Sequence, residues 1–393
     1  MNAPAPTPAL APAKSRAPDF IALRHALHAD PELAFAETAT SARIAGLLSG
    51  WGYRVRRLAG TGLVASLDNG PGPALAIRAD MDALPIHEAT GLSFASRNPG
   101  VMHACGHDGH SAILLAAAWE LARRRDLRGR LELIFQPAEE IGAGARAMLA
   151  EGLLDAHPVD AVFALHNWPG APAGRFGLVE GPAMAAIDRL DVVIAGQGGH
   201  GAEPHLAVDP VLAASHAVTA LQSLVSRNTD PREMAVVTVA SIHGGEAANV
   251  IPGEVALKLS LRSYRDEVRQ TLRSRAPEIL RAIAAAFGAT ARVTPGAGIP
   301  SVINSPAETR LLRQVALDRF GADAVIADFA PRTASEDFAY FLRRCPGSFV
   351  FVGNGDGPPL HSPDYRFNDA IIAPAAALWV ALAARFLTGE SHA

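Results

Sequence analysis

The chain has 393 residues, 49% hydrophobic and 19% charged, with 35 basic side chains against 39 acidic ones and a formal charge of −4. This composition excludes disordered and fibrous proteins, and the absence of a basic excess argues against nucleic acid as a partner. The length exceeds the ~250–300 residues over which one hydrophobic core keeps growing, so two domains are expected. Two cysteines, Cys105 and Cys345, are too few for a disulfide framework or a four-cysteine zinc site.

Residues 1–18, MNAPAPTPALAPAKSRAP, contain five prolines and read as an extended, disordered tail. No basic segment precedes an apolar core there, so a secretory leader is not expected and a cytoplasmic protein is. Asp19 is placed to cap a helix from Phe20 to about Ala29, stopping before Pro31. A second helix covers about Glu37 to Leu48 and ends at Gly50. Strands are expected at Tyr53–Leu58, Leu63–Asp68 and Ala74–Ala79, the last opening into Asp80-Met81-Asp82. Helix Ser111–Arg125, strand Leu131–Phe135, helix Ala143–Ala150 and strand Ala161–Leu165 follow. This alternation predicts an α/β fold: a largely parallel sheet with helices on both faces.

The texture changes near Ile187. Strand Leu190–Ala195, a helix from Pro210 to about Arg227, strand Met234–Ser241, strand Glu254–Arg262, a helix from Asp266 to Phe287 and a strand near Ala291 make a βαββαβ order, which resembles a ferredoxin-like α+β unit. Helix–strand alternation resumes after Pro300. The expected plan is therefore a catalytic domain of residues 19–187 and 300–393, interrupted by an inserted domain of residues 188–299. The apolar run Ala370–Ala384 is shorter than the ~20 residues of a membrane span, so it reads as a buried helix and no membrane partner is expected.

Met102–His110 reads MHACGHDGH, a thiol, three imidazoles and a carboxylate ahead of a helix. A thiol at a helix N-terminus has a lowered pKa, and thiolate is the metal-binding form, so Cys105 and His107 suit one metal centre. Glu139 and Glu140, in QPAEE, follow a buried strand, where α/β proteins place their sites; a solvated helix start is the alternative. His166 ends the next strand, and His361 lies in a Gly/Pro-rich loop after Phe349–Val352. Five donors, Cys105, His107, Glu140, His166 and His361, exceed the three of a single catalytic zinc and suit two divalent cations. Such a centre polarises a carbonyl and acidifies an attacking water, whose proton Glu139 would take and pass to the leaving nitrogen. Gly196–Gly201 fits G-x-G-x-x-G, but no helix opens behind it, so a nicotinamide or flavin cofactor is not expected.

With these segments, and RHALHADPELAFAE, IRADMDALPI, GQGGHGAEPH, GGEAANVIPGE, TASEDFAYF and PLHSPDYRFND in order, the chain resembles the M20 metallopeptidase family. The likeness is to its branch of hippurate hydrolases, N-acyl-amino-acid amidohydrolases and plant auxin-conjugate hydrolases. The resemblance implies two divalent metal ions per subunit (zinc, or manganese, cobalt or nickel) on the five ligands above, with Glu139 as general base. It implies that the inserted domain acts as a lid and dimerises, giving a homodimer or dimer-based oligomer. It matches His200 to an oxyanion-stabilising histidine, and Asn249 and Arg262 to positions that hold the substrate's carboxylate; a solvated strand charge is the alternative for Arg262. His205 is either a second contact or lid structure. Asp80, Asp108 and Glu336 either orient ligands or serve the fold. Gly201 stands where relatives usually carry Ala, and Ala334 where Gly is common. The implied reaction is hydrolysis of an N-acyl amino acid to a carboxylic acid and a free amino acid. Dipeptidase- or carboxypeptidase-like members, biosynthetic deacetylases and a non-catalytic binding protein are the alternatives.

Overall fold

The computed structural model describes residues 19–124 and 126–388. The expected tail, residues 1–18, lies outside them. By internal packing the chain forms two compact units. One comprises the described residues up to Leu178, Ala307–Ala327 and the chain from Cys345 on; the other comprises Val179–Pro306 and Asp328–Arg344.

In the larger unit the chain runs through α1 (Phe20–His28), α2 (Thr38–Gly50), β1 (Arg54–Leu58), β2 (Gly62–Asp68), β3 (Ala74–Asp80), α3 (His107–Leu121), β4 (Arg130–Gln136), α4 (Gly144–Ala150), α5 (Leu153–Ala156), β5 (Ala161–Pro169) and β6 (Phe176–Leu178). The smaller unit contributes β7 (Gly181–Met184), β8 (Ala186–Ala195), β9 (Gly199–His200), α6 (Pro210–Leu221), α7 (Ser223–Asn228), β10 (Ala235–His243), β11 (Val250–Ile251), β12 (Glu254–Ser263), α8 (Asp266–Ala286), β13 (Thr290–Pro295) and β14 (Val302–Asn304). Then come α9 (Pro306–Phe320), α10 (Ala339–Leu342), β15 (Gly347–Gly355) and α11 (Ile372–Leu387).

The large sheet has the order β1-β2-β4-β3-β5-β15-β6. Its four central strands β4, β3, β5 and β15 are parallel, whereas β1, β2 and β6 pair antiparallel at the edges. The largely parallel sheet expected from sequence is thus a mixed one. Three residues join β1 to β2, too few for the crossover a parallel pair needs. Asp19 caps α1 as expected, accepting from the N–H groups of Ile21 and Ala22. β3 and β4 are buried almost throughout, as strands covered on both faces must be. The apolar C-terminal segment packs Leu378, Trp379, Leu382 and Ala383 of α11 into the core that α3 also lines, which accounts for its composition.

Two boundaries differ from the sequence reading in ways that matter to the site. α3 starts at His107 rather than Ser111, because Gly106, at φ 91°, turns the chain abruptly into the helix. β5 runs on to Pro169 instead of stopping at Leu165, so His166 lies within a strand.

In the smaller unit the sheet order is β10-β12-β8-β13, all antiparallel. In chain order this is 4-1-3-2 of a βαββαβ unit. β12 alternates as its sequence does, with Val255, Leu257, Leu259 and Leu261 buried. The helix expected from Pro210 to Arg227 is two, broken at Gln222. The Gly196–Gly201 segment contains β9 and is followed by a short 3-10 turn, and the next α-helix begins only at Pro210. Residues Asp328–Arg344 belong to this unit, although the sequence plan placed them in the catalytic domain. Ala185 N–H reaches the carbonyls of Arg332 and Ala334, and Tyr340 donates to Gly298 O.

Candidate metal centre

The parallel strands β3, β4, β5 and β15 deliver their C-terminal ends to one rim of the large sheet, where open α/β sheets hold their ligands. Cys105 and His107 flank Gly106 at the start of α3; Glu139 and Glu140 follow β4; His166 lies in β5; and His361 lies in the loop after β15. Cys105, His107 and His166 form one cluster of donor atoms, all within 4.8 Å of one another. Cys105, Glu140 and His361 form a second, and His107, Glu139 and Glu140 a third. Cys105 Sγ is 3.3 Å from His166 Nε2, and His361 Nε2 is 3.4 Å from Glu140 Oε2.

The ring orientations follow from hydrogen bonds. His107 Nδ1 is 2.9 Å from the carbonyl of Asp82, and His166 Nδ1 is 2.7 Å from that of Asn167. A carbonyl only accepts, so each Nδ1 carries a proton and each ring turns its Nε2 toward the cluster. His110, the third imidazole of the motif, is used otherwise. Its Nδ1 donates to Asp80 Oδ1 at 2.6 Å and its Nε2 accepts the N–H of Asn167 at 3.1 Å. Asn167 also donates from Nδ2 to Cys105 O and accepts the hydroxyl of Tyr365.

Among the described residues, buried His107 Nε2 and Glu140 Oε1 have no hydrogen-bond partner, and they lie 3.8 Å from each other. Stranded polar atoms in a cluster of imidazole, thiol and carboxylate fit a divalent cation. The proton affinities agree. Burial pushes His107 down, but Asp80, Asp82 and Glu140 outweigh it and raise the ring to about 10. The Cys105 thiol is not lowered as its place before a helix predicts: burial and the charges of Glu140, Glu139 and Asp80 hold it well above its usual range. Burial holds His166 well below its usual range. A cation among these donors would replace the protons that the carboxylates otherwise attract.

Asp82, unassigned by the sequence reading, is central here. Its Oδ1 accepts the N–H of Glu139 at 3.0 Å and its Oδ2 that of Glu140 at 3.1 Å. It thereby ties the QPAEE loop to His107. Its position two residues beyond Asp80, in DMD, was the available signal. Asn167 and Tyr365 gave none, since they meet only through folding. Of the carboxylates read as orienting or structural, Asp80 bridges Arg78 Nη1 at 2.7 Å and His110, and its Oδ2 lies 3.7 Å from His107 Nε2. Asp108 faces away from the donors and binds Arg24 and His28 of α1, both at 2.9 Å.

The remaining candidates lie in the smaller unit. His200 is exposed on β9 opposite Val250, and its Nδ1 accepts the N–H of Ala202 at 3.0 Å, leaving Nε2 as the protonated nitrogen of the neutral ring. Asn249 is exposed, and its carbonyl accepts Gly201 N–H. A Cβ at Gly201 would lie 3.0 Å from the Asn249 backbone. Arg262 reaches Thr333 O at 2.7 Å and Ser335 Oγ at 3.1 Å through Nη1. His205 is exposed, and Glu336, also in this unit, is buried and accepts Phe338 N–H.

Residues 76–385 match the Peptidase family M20/M25/M40. The chain is 43% identical over 376 residues to an N-acetyl-L-cysteine deacetylase of Bacillus subtilis, covering 95% of this chain and 89% of that protein. It is 38% identical over 371 residues to a hippurate hydrolase of Campylobacter jejuni, covering 94% and 97%. A crystal structure of a dinuclear metal binding peptidase of the M20 family from Bacillus subtilis superposes with a TM-score of 0.82 at 34% identity, over 94% of this chain and 97% of that one. The chain belongs to the M20 family.

Proposed function

From that membership and the donor cluster, we propose that the protein is a metal-dependent amidohydrolase. It cleaves the amide bond of N-acyl amino acids, of N-acetyl, benzoyl or related acyl type, to a carboxylic acid and a free amino acid. The observation that supports this most strongly is the pair of buried atoms without hydrogen-bond partners among the described residues, His107 Nε2 and Glu140 Oε1, which lie 3.8 Å apart and cluster with Glu139. Cys105, His107, Glu140, His166 and His361 would hold two divalent ions, zinc or else manganese, cobalt or nickel. Bound there, the ions supply Lewis-acid polarisation of the amide carbonyl and acidify the attacking water.

The chain's own groups do the rest. Glu139 takes the water's proton and delivers it to the departing nitrogen. Asp82 fixes the backbone N–H of Glu139 and so its reach. His200, protonated at Nε2, donates to the oxygen that gains charge as the carbonyl carbon becomes tetrahedral. Arg262 presents a planar fork to the substrate's carboxylate, with Asn249 beside it. The smaller unit is the lid, and two copies of the chain associate through it.

The test is a panel of hippurate, N-acetyl amino acids, indoleacetyl conjugates and simple dipeptides offered to zinc- or manganese-loaded protein, with products identified by mass spectrometry. Glu139→Gln should lower kcat about a thousandfold, within the range of general-base contributions, with metal stoichiometry unchanged. Near-normal turnover in that variant removes Glu139 from the role; no hydrolysis of any member by the fully loaded protein removes the activity itself.

A further inference from the structure

We propose that Glu37 is a positioning residue for the base and metal-ligand loop, acting with Asp82 as a two-carboxylate clamp. The proposal rests on the amidohydrolase reading for its kinetic consequences only. Glu37 is the N-cap residue of α2, yet its side chain makes no cap bond. Glu32 does that work instead, accepting the N–H of Ala39 at 3.0 Å and of Thr40 at 2.8 Å. The Glu37 carboxylate turns inward and is fully buried. Its Oε1 accepts the N–H of Ala138 at 2.9 Å, and its Oε2 accepts the hydroxyl of Thr61 at 2.6 Å.

Ala138 lies immediately before Glu139 and Glu140, in the left-handed region at φ 53°. An L-residue avoids that conformation unless its surroundings hold it there. Three successive amides, of residues 138, 139 and 140, are therefore each held by a buried carboxylate: the first by Glu37, the others by Asp82. One amide gripped from α2 keeps the strained turn closed; the other two aim the side chains that follow. Released, Ala138 would relax toward negative φ and swing Glu139 and Glu140 off their positions. A misplacement of about 1 Å at a reacting group costs up to a hundredfold in rate.

The test uses zinc-loaded protein and two readouts, exchange of the amides at 138–140 with deuterium and steady-state kinetics. Glu37→Ala should speed that exchange about tenfold or more and lower kcat about thirtyfold, with KM changed less than about threefold. Glu37→Gln should stay within about threefold of the parent in both, because its carbonyl still accepts from Ala138 while its amide donates to Thr61 Oγ. Ala138→Gly in the Glu37→Ala background should recover about tenfold of the lost kcat, since glycine adopts positive φ without help. Recovery of that kind is not expected of a residue that merely stabilises the fold. Should Glu37→Ala not accumulate folded, Glu37→Asp withdraws the carboxylate from Ala138 and should show the same paired losses. Unchanged exchange in whichever of these two variants is obtained, or a kcat loss that neither Glu37→Gln nor Ala138→Gly relieves, overturns the clamp. If the parent hydrolyses none of the panel substrates, the reaction assignment fails while the exchange measurement still decides the clamp.

Discussion

Gly106 separates two of the donors, and replacing it with alanine should damage the centre in a calculable way. Its φ of 91° costs an L-residue about 1–2 kcal/mol. An added Cβ would stand 2.4 Å from Asn167 Nδ2 and 2.7 Å from the Tyr365 hydroxyl, so Asn167 must move. That move breaks its bonds to Cys105 O and Tyr365, each contributing about 1 kcal/mol, and disturbs the N–H that fixes His110. The total of about 3–4 kcal/mol corresponds to a fall in Tm of roughly 10 °C. Displacing groups that hold ligands typically weakens metal binding by about 10–100-fold. Gly60→Ala is the control: its φ is 75°, but nothing lies within 4 Å of the new Cβ, so only the backbone cost applies. The assay is thermal melting of both variants, with zinc titration against a competing chelator. Equal losses in the two variants, or unchanged zinc affinity in Gly106→Ala, would refute the reasoning.

Other expectations follow from the same contacts. Loading the metal-free protein with zinc should release about two protons near neutral pH, from the raised Cys105 thiol and from His107, whose pKa is about 10. Calorimetry in buffers of different ionisation enthalpy reads that number, and buffer-independent heats would contradict it. His28, sealed between Asp108 and Glu88, is pushed down by burial but raised overall to about 9 by those carboxylates. Its stabilisation is therefore complete below the unfolded value near 6.5 and is lost as pH rises through 9, a difference of up to about 3 kcal/mol. Melting between pH 6.5 and 9 should slope downward in the parent and flatten in His28→Gln; parallel slopes would show the proton lies elsewhere. Arg262→Met should raise KM about thirtyfold for substrates bearing a free carboxylate and spare their carboxamide analogues. Equal losses on both would assign Arg262 to the Thr333–Ser335 contacts alone.

The α/β alternation, the βαββαβ segment, the alternating β12 and the chemical identity of the donors were legible along the chain, because periodicity and residue type are local properties. Cys105, His107 and the two glutamates were legible for that reason: MHACGHDGH and QPAEE crowd unusual side chains into short segments. Tertiary structure alone decided which way each group faces. His110 and Asp108 share the motif with His107, yet one is tied up by Asp80 and Asn167 and the other by α1. Nothing within nine residues could distinguish them. β1 runs antiparallel to β2 because three residues join them, whereas the antiparallel pairing of β2 with β4 and of β6 with β15 was set by strands distant in the chain. Glu37 and Asp82 act on amides 101 and about 57 residues away along the chain, a reach set by which strands and helices pack together. Residue type fixed what the centre could bind; long-range packing fixed which atoms were left free to bind it.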